Sequence, residues 1–335
     1  MSEKSFRQAI NEALREEMRR DPCVFLIGED IAGGTGSDGE EDAWGGVMGV
    51  TKGLLGEFGA KRVIDTPISE TAYIGAAAGA AVTGMRPVAE LMFCDFAGVC
   101  FDQIMNQTAK LRYMLGGQAK VPLVIRMQCG GGFNAAAQHS QTLHGLFTHI
   151  PGLKVVMPSN PYEAKGLLIE SIRDDDPVMF MEHKFMYDDK GEVPDESYAI
   201  PLGEAYYSRD GEDITVCALG RMVNLCNQAA DDLAQEGIGC TVIDLRSTSP
   251  LDEESVCESV EETGRLAVVD EGYPRCGFAA DIAALAAVKA QSALRAPVKL
   301  VTPPHTTIPF APTLEELYIP SVGRIKEGIK EVLAA

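Results

Sequence analysis

Arg62-Val-Ile-Asp-Thr-Pro-Ile-Ser-Glu70, continued by Thr71-Ala-Tyr-Ile-Gly-Ala-Ala-Ala-Gly-Ala-Ala-Val-Thr83, is the stretch from which the fold is read. A short β-branched run, Arg62–Asp65, stops at Thr66-Pro67. Proline removes a ladder donor, so the strand ends before it. Ser69 then reads as a helix cap, and Glu70 as a first-turn acid that complements the helix dipole. Small residues from Gly75 to Ala81 let the helix Ser69–Thr83 lie very close to another backbone. The next apolar run, Pro87–Phe93, is a second strand. Strand, helix and strand over about thirty residues make a βαβ unit, which demands parallel pairing.

The alternation continues outward. Upstream, Ser5-Phe-Arg-Gln8 is a capping box, and Phe6, Ala9, Ile10, Ala13, Leu14 and Met18 form one apolar stripe. That helix stops at Asp21-Pro22, ahead of a strand at Val24–Gly28. Downstream, Val121–Met127, Leu153–Met157 and Val178–Glu182 read as strands, with helices over Phe96–Leu115 and Pro161–Arg173. A second series has strands Ile214–Leu219, Cys240–Leu245, Leu266–Asp270 and Val298–Thr302, with helices Met222–Glu236 and Phe278–Ala290. Tyr187–Pro201, between the series, is rich in Asp, Glu, Gly and Pro and lacks apolar periodicity. The expectation is an α/β protein with mainly parallel sheets. Its domains are expected over 1–190 and 205–335, joined by a linker over 191–204.

The bulk properties narrow the function. A chain of 335 residues, 46% apolar and 23% charged, can build two soluble cores. Its longest near-apolar run, Ile74–Val82, is far short of the roughly 20 residues that span a bilayer. Glu12, Glu16 and Glu17 argue against a transit peptide. A net charge of −20 repels phosphate backbones, which disfavours nucleic acid and suits a basic protein partner. Nine cysteines with no C-x-x-C pair indicate reduced thiols and a cytoplasmic setting.

Gly34-Thr-Gly-Ser-Asp-Gly39 matches the dinucleotide fingerprint, but Glu40, Glu41 and Asp42 follow it where a helix should begin. Three carboxylates oppose a pyrophosphate, so an acidic surface loop is expected and nicotinamide chemistry is disfavoured. His139, His144 and His149 recur every five residues, a spacing that shares no helix face and predicts no three-histidine metal site. His139 has the most suggestive setting, after the flexible Gly130-Gly-Gly132 and among Gln138, Ser140 and Gln141. On spacing alone a surface or capping histidine is the simpler reading. Likewise, capping alone explains Glu70, and core packing explains Met92 and Phe96; the alternative is a buried carboxylate beside an apolar platform at a strand's carboxyl end.

Taken together, these segments resemble the β subunits of the thiamine-diphosphate-dependent component of 2-oxo acid dehydrogenase complexes. The resemblance rests on Val24-Phe-Leu-Ile-Gly-Glu-Asp30, Arg62–Glu70, Ala136-Ala-Gln-His-Ser-Gln141, Pro151-Gly-Leu-Lys-Val-Val156, Ala164-Lys-Gly-Leu-Leu168 and Ile172-Arg-Asp-Asp-Asp-Pro177, in order. It implies a pyrimidine-binding α/β domain followed by a transketolase C-terminal-like α/β domain. It also implies a cofactor shared with an α chain that holds the diphosphate and Mg²⁺, in an assembly of two α and two β chains. The α chain's Gly-Asp-Gly motif with paired asparagines is not found here.

Position by position, the resemblance makes Glu70 the hydrogen-bond partner of the aminopyrimidine ring nitrogen. Phe96 is expected to stack on that ring and Met92 to line the pocket. His139 is expected to assist proton transfer or reductive acylation of a lipoyl group. Leu123, Ser171, Ile172, Asp174 and Asp176 match a structural potassium site of some relatives. Val99 departs from the family, where Glu or Gln can relay protons. Phe93-Cys-Asp-Phe-Ala-Gly-Val-Cys100, Asp102-Gln-Ile104 and Gly45-Gly-Val-Met-Gly-Val-Thr-Lys52 look most like acetoin dehydrogenase β subunits. The implied reaction cleaves acetoin and acetylates lipoamide on a dihydrolipoyl acyltransferase core. The alternatives are pyruvate or branched-chain 2-oxo acids as substrates, or a non-catalytic docking subunit.

Overall fold

The computed structural model describes residues 1–33 and 44–335, so the motif Gly34–Gly39 and the acids after it lie outside the described residues. The chain forms two units. One comprises Met1–Gln128 with His149–Leu202, and the other Cys129–Thr148 with Gly203–Ala335.

In the first unit the sheet runs in the order Lys154–Val156, Val178–His183, Val124–Cys129, Arg86–Leu91, Val24–Glu29, Val63–Thr66. Leu26 pairs with Val63, Val24 with Arg86 and Val88 with Val124, all in parallel. Strands such as Val124–Cys129 are buried throughout, as parallel strands covered on both faces must be. The helix Phe6–Arg20 buries its predicted stripe, and its capping box is formed by Ser5 and Gln8. It packs on the helix Pro161–Arg173, which starts at an Asn160 cap with proline in its first turn. Glu17, buried between these helices, accepts from Arg20 at 2.7 Å and Arg173 at 2.6 Å.

The structure differs from the sequence reading in three places. The segment 191–204 is not a free linker. Lys190–Val193 pairs antiparallel with Ser2–Ser5, and the buried Lys165 donates to the Pro194 and Glu196 carbonyls. Ile200 lies so close to Gly166 that an added Cβ there would meet it at 2.6 Å. Strand pairing, polar contacts from distant residues such as Lys165, and the packing of Ile200 hold this stretch, so no apolar period betrays it. Second, Cys129–Thr148 groups with the C-terminal unit, although it was expected within 1–190.

Third, the single helix over Phe96–Leu115 is broken into a 3₁₀ turn (Cys94–Gly98), a π-type turn (Gln103–Thr108) and a short helix (Leu111–Met114). The Thr71 hydroxyl takes the Val99 carbonyl at 2.8 Å, diverting it from a continuous helical ladder.

The second unit has strands in the order Lys299–Val301, Leu266–Val269, Ile214–Ala218, Cys240–Asp244, Tyr206–Arg209. The first four are parallel, and Tyr206–Arg209 runs antiparallel to its neighbour. Helices Arg221–Ala234 and Val322–Ala334 close its core with Val223, Leu233, Ile325 and Ile329. No helix among the described residues is long and apolar enough to cross a membrane.

Candidate active site

Glu70 opens the helix Glu70–Val82, directly after the strand Val63–Thr66, and is 7% exposed. Carboxyl ends of parallel strands are where α/β sheets gather ligands. Capping does not account for this turn. The Ser69 hydroxyl makes no cap bond and leans towards the Pro67 carbonyl at 3.4 Å. The Glu70 carboxylate itself has no hydrogen-bond or ion-pair partner among the described residues. No bond to a described residue accounts for Glu70, and its place at the sheet's ligand-binding end points to a ligand.

The surroundings respond to it. Burial, reinforced by the Glu70 charge, pushes the Cys100 thiol up to about 12. Burial and then Glu70 also raise the Tyr73 phenol, so both groups stay neutral at pH 7. Glu29, at the end of the adjacent strand, is raised by burial, Asp30 and Glu70 in that order.

The Thr71–Val99 bond draws the first turn of this helix against the turn Cys94–Gly98, which carries half-buried Phe96. Met92 is buried just before that turn. The structure thus brings Glu70, Met92 and Phe96 into one neighbourhood of the first unit. Ile68 (76% exposed) and Val99 (56% exposed) add uncovered apolar surface in the same chain segments.

The aim of the Phe96 turn is fixed from beneath. Phe93 has φ +64°, an uncommon value for a non-glycine residue. Its N–H donates to Gln128 Oε1 at 3.1 Å, and Gln128 Nε2 reaches Glu90 at 3.4 Å. Arg126 then bridges Glu90 (2.7 Å) and Glu182 (2.6 and 2.8 Å), and the Tyr187 hydroxyl donates to Glu182 at 2.7 Å. Burial opposes charge on Arg126, but the two flanking carboxylates outweigh it and raise its pKa. Sequence reading missed this network, because its members come from three separate segments.

His139 lies in the second unit, half-buried, in the loop whose ends are joined by the Gly130 N–H and the Gln141 carbonyl at 3.0 Å. The flexibility expected of Gly130-Gly-Gly132 is not what the glycines provide. Gly130 and Gly132 take φ near +90°, and a Cβ on Gly131 would meet Ile308 at 2.6 Å. His144 is 1% exposed, with Nε2 3.2 Å from Asp270. His149 is exposed.

Of the five residues matched to a potassium site, two offer their carbonyls to a cation of the chain itself. The Arg86 guanidinium donates to the carbonyls of Ile172 (3.0 Å) and Asp174 (2.9 Å). Ser171 bonds the Leu167 carbonyl, the Leu123 carbonyl accepts from Val178, and Asp176 pairs with Arg112.

Residues 2–190 match the family model of the transketolase pyrimidine binding domain, and residues 203–325 that of the transketolase C-terminal domain. Two relatives are β subunits of acetoin:2,6-dichlorophenolindophenol oxidoreductase. That of Cupriavidus necator is 60% identical over 98% of this chain and 97% of its own length. That of Bacillus subtilis is 56% identical over the same shares. The chain belongs to the β-subunit family of acetoin and 2-oxo acid dehydrogenases.

The β-subunit fold also resembles a solved split-gene transketolase, described as an inactive β4 tetramer, with a TM-score of 0.78 over 98% of both chains at 22% identity. In this β subunit the family's first domain match ends at residue 190, where the strand Lys190–Val193 begins.

Proposed function

We propose that this chain is the β subunit of a thiamine-diphosphate-dependent enzyme that cleaves acetoin and acetylates enzyme-bound lipoamide, with an α chain completing the site. One observation carries the reading: Glu70 is a largely buried carboxylate without a hydrogen-bond partner among the described residues, in the same neighbourhood as Phe96 and Met92. That set fits an aminopyrimidine, which offers a ring nitrogen to the acid and an aromatic face to Phe96. The cofactor, when bound, supplies the nucleophilic carbon and the electron sink. Glu70 would hold and return the proton at the ring nitrogen, Phe96 would fix the ring plane, and Tyr73 and Cys100 would stay neutral beside it.

Overall, acetoin and the lipoyl disulfide become acetaldehyde and S-acetyl-dihydrolipoamide. The acetyl carbon bonds one sulfur, and the other leaves as thiol. His139 is assigned to proton transfer in that acylation. The diphosphate and Mg²⁺ are assigned to the α chain, in an assembly of two α and two β chains. The lipoyl domain belongs to an acyltransferase core. The 60% and 56% identities to acetoin-specific relatives favour acetoin over 2-oxo acids. The exposed apolar residues Ile68, Val99, Tyr113 and Met114 of the first unit support coverage by an α chain.

Calorimetry with thiamine diphosphate and Mg²⁺ tests the shared site. Binding is expected only for the reconstituted α–β assembly. Tight binding to the lone chain, or none to a folded assembly, overturns the proposal. With binding shown, kcat/KM for acetoin should exceed that for pyruvate and branched 2-oxo acids by at least about tenfold.

A further inference from the structure

Residues 270–273 and the helix Pro312–Tyr318 hold the loop around His139 on both limbs. The Gly131 N–H donates to Glu271 Oε1 at 2.6 Å. The Gly132 and Asn134 N–H groups donate to the two oxygens of Glu315, each at 2.9 Å. On the far limb, the Tyr273 hydroxyl meets Gln141 at 3.2 Å, and Asp270 meets His144. Glu271 is 7% exposed and Glu315 2%.

The loop cannot hold this shape unaided. Gly130 and Gly132 are left-handed, and so are Asn134 (φ +53°) and Ala136 (φ +61°), a conformation a non-glycine residue adopts at a cost. Ile308 and Ile319 close over Gly131, so only glycine lets the chain approach the carboxylates. Phe133, between the two amides held by Glu315, is 54% exposed, and Phe310, Leu314 and Leu317 near Glu315 in sequence are exposed too. The carboxylate thus faces inward from a helix whose outer face is apolar and uncovered.

We infer that Glu315, supported by Glu271, is a positioning residue: it accepts the backbone N–H groups of the 130–134 turn and so sets where His139 stands. This rests on the assignment of His139 to lipoyl acylation. It predicts that the helix Pro312–Tyr318, nearly 180 residues from His139 in sequence, controls acyl transfer to the lipoyl domain while leaving earlier steps alone. Acetoin cleavage can be followed separately, with 2,6-dichlorophenolindophenol as the electron acceptor.

The test uses the α–β assembly carrying Glu315→Ala, Glu315→Gln, His139→Ala, or His139→Ala with Glu315→Ala. Glu315→Ala should expose the Gly132 and Asn134 amides to hydrogen exchange and slow lipoyl-domain acetylation about tenfold to a hundredfold. Dye-coupled turnover should change by less than about twofold. Glu315→Gln keeps one acceptor oxygen and should fall between wild type and Glu315→Ala, which also covers an alanine variant that folds poorly. The double variant should be no slower than His139→Ala alone, because both changes act on one group. Additive losses, or unchanged amide exchange, overturn the inference. If His139→Ala acylates normally while Glu315→Ala still loses amide protection, it is the role of His139 that fails, and the inference reduces to a purely structural clamp.

Discussion

Two buried carboxylates, one in each unit, have opposite surroundings. Glu315 meets two N–H donors with its two oxygens, whereas Glu70 meets none among the described residues. Both residues are largely buried, so the difference lies in what the protein has arranged around them. A saturated carboxylate fixes backbone and contributes to stability. An unsaturated one costs stability and retains its capacity for an incoming group. Depth of burial therefore does not separate structural acids from functional ones in this molecule; the donor count does.

Glu70→Gln is the strongest way to break the comparison. It should lower kcat for acetoin by about 10²- to 10⁴-fold, as loss of a proton-holding group does. It should leave Tm nearly unchanged, since no bond to a described residue is lost. A large fall in Tm would show that Glu70 has a structural partner after all.

Arg126→Met tests the saturated side within the first unit. It leaves Glu90 and Glu182 buried without their guanidinium and should cost about 3–5 kcal/mol by denaturant unfolding. Because Gln128 links this network to Phe93, affinity for thiamine diphosphate should weaken with it. A loss of stability with unchanged cofactor affinity would uncouple the network from the Phe96 turn.

The smallest effect is on pH. Burial disfavours the His144 charge, but Asp270 and then Glu271 outweigh it and raise its pKa above 6.5. Burial likewise opposes charge on Asp270, but His144 and nearby N–H groups hold its pKa below 3.8. Stability from His144 is complete below 6.5 and is lost as pH rises through its raised value. Stability from Asp270 is complete above 3.8 and is lost as pH falls through its lowered value. The pair contributes most between those limits. Wild-type Tm should therefore fall by about 2–4 °C more than that of His144→Asn between pH 6 and pH 9. Equal slopes would mean that the pair does not titrate with folding.

The sequence predicted the parallel strands of both sheets, though not the antiparallel edge strand Tyr206–Arg209, and the helix Pro161–Arg173, because apolar period, proline and caps are local signals. It also marked Glu70, Phe96 and Met92, through a family pattern rather than through their chemistry. What it missed was non-local. The partners of Gly131, Gly132 and Asn134 lie 140 to 183 residues away, and no spacing rule connects them. Hence three glycines that suggested flexibility serve a tight approach instead. The helix expected over Phe96–Leu115 is interrupted near Val99, whose carbonyl is taken by a threonine hydroxyl from another element. Local propensity is overruled wherever a distant side chain competes for the backbone.

The pairing of Ser2–Ser5 with Lys190–Val193, and of the helix Phe6–Arg20 with Pro161–Arg173, carries a consequence for biosynthesis. The opening helix leaves the ribosome with its apolar stripe bare, and its partner helix is translated about 140 residues later. At ordinary elongation rates that delay is roughly 10–30 s. During it the nascent chain exposes Phe6, Ile10, Leu14 and Met18, a natural hold point for a chaperone.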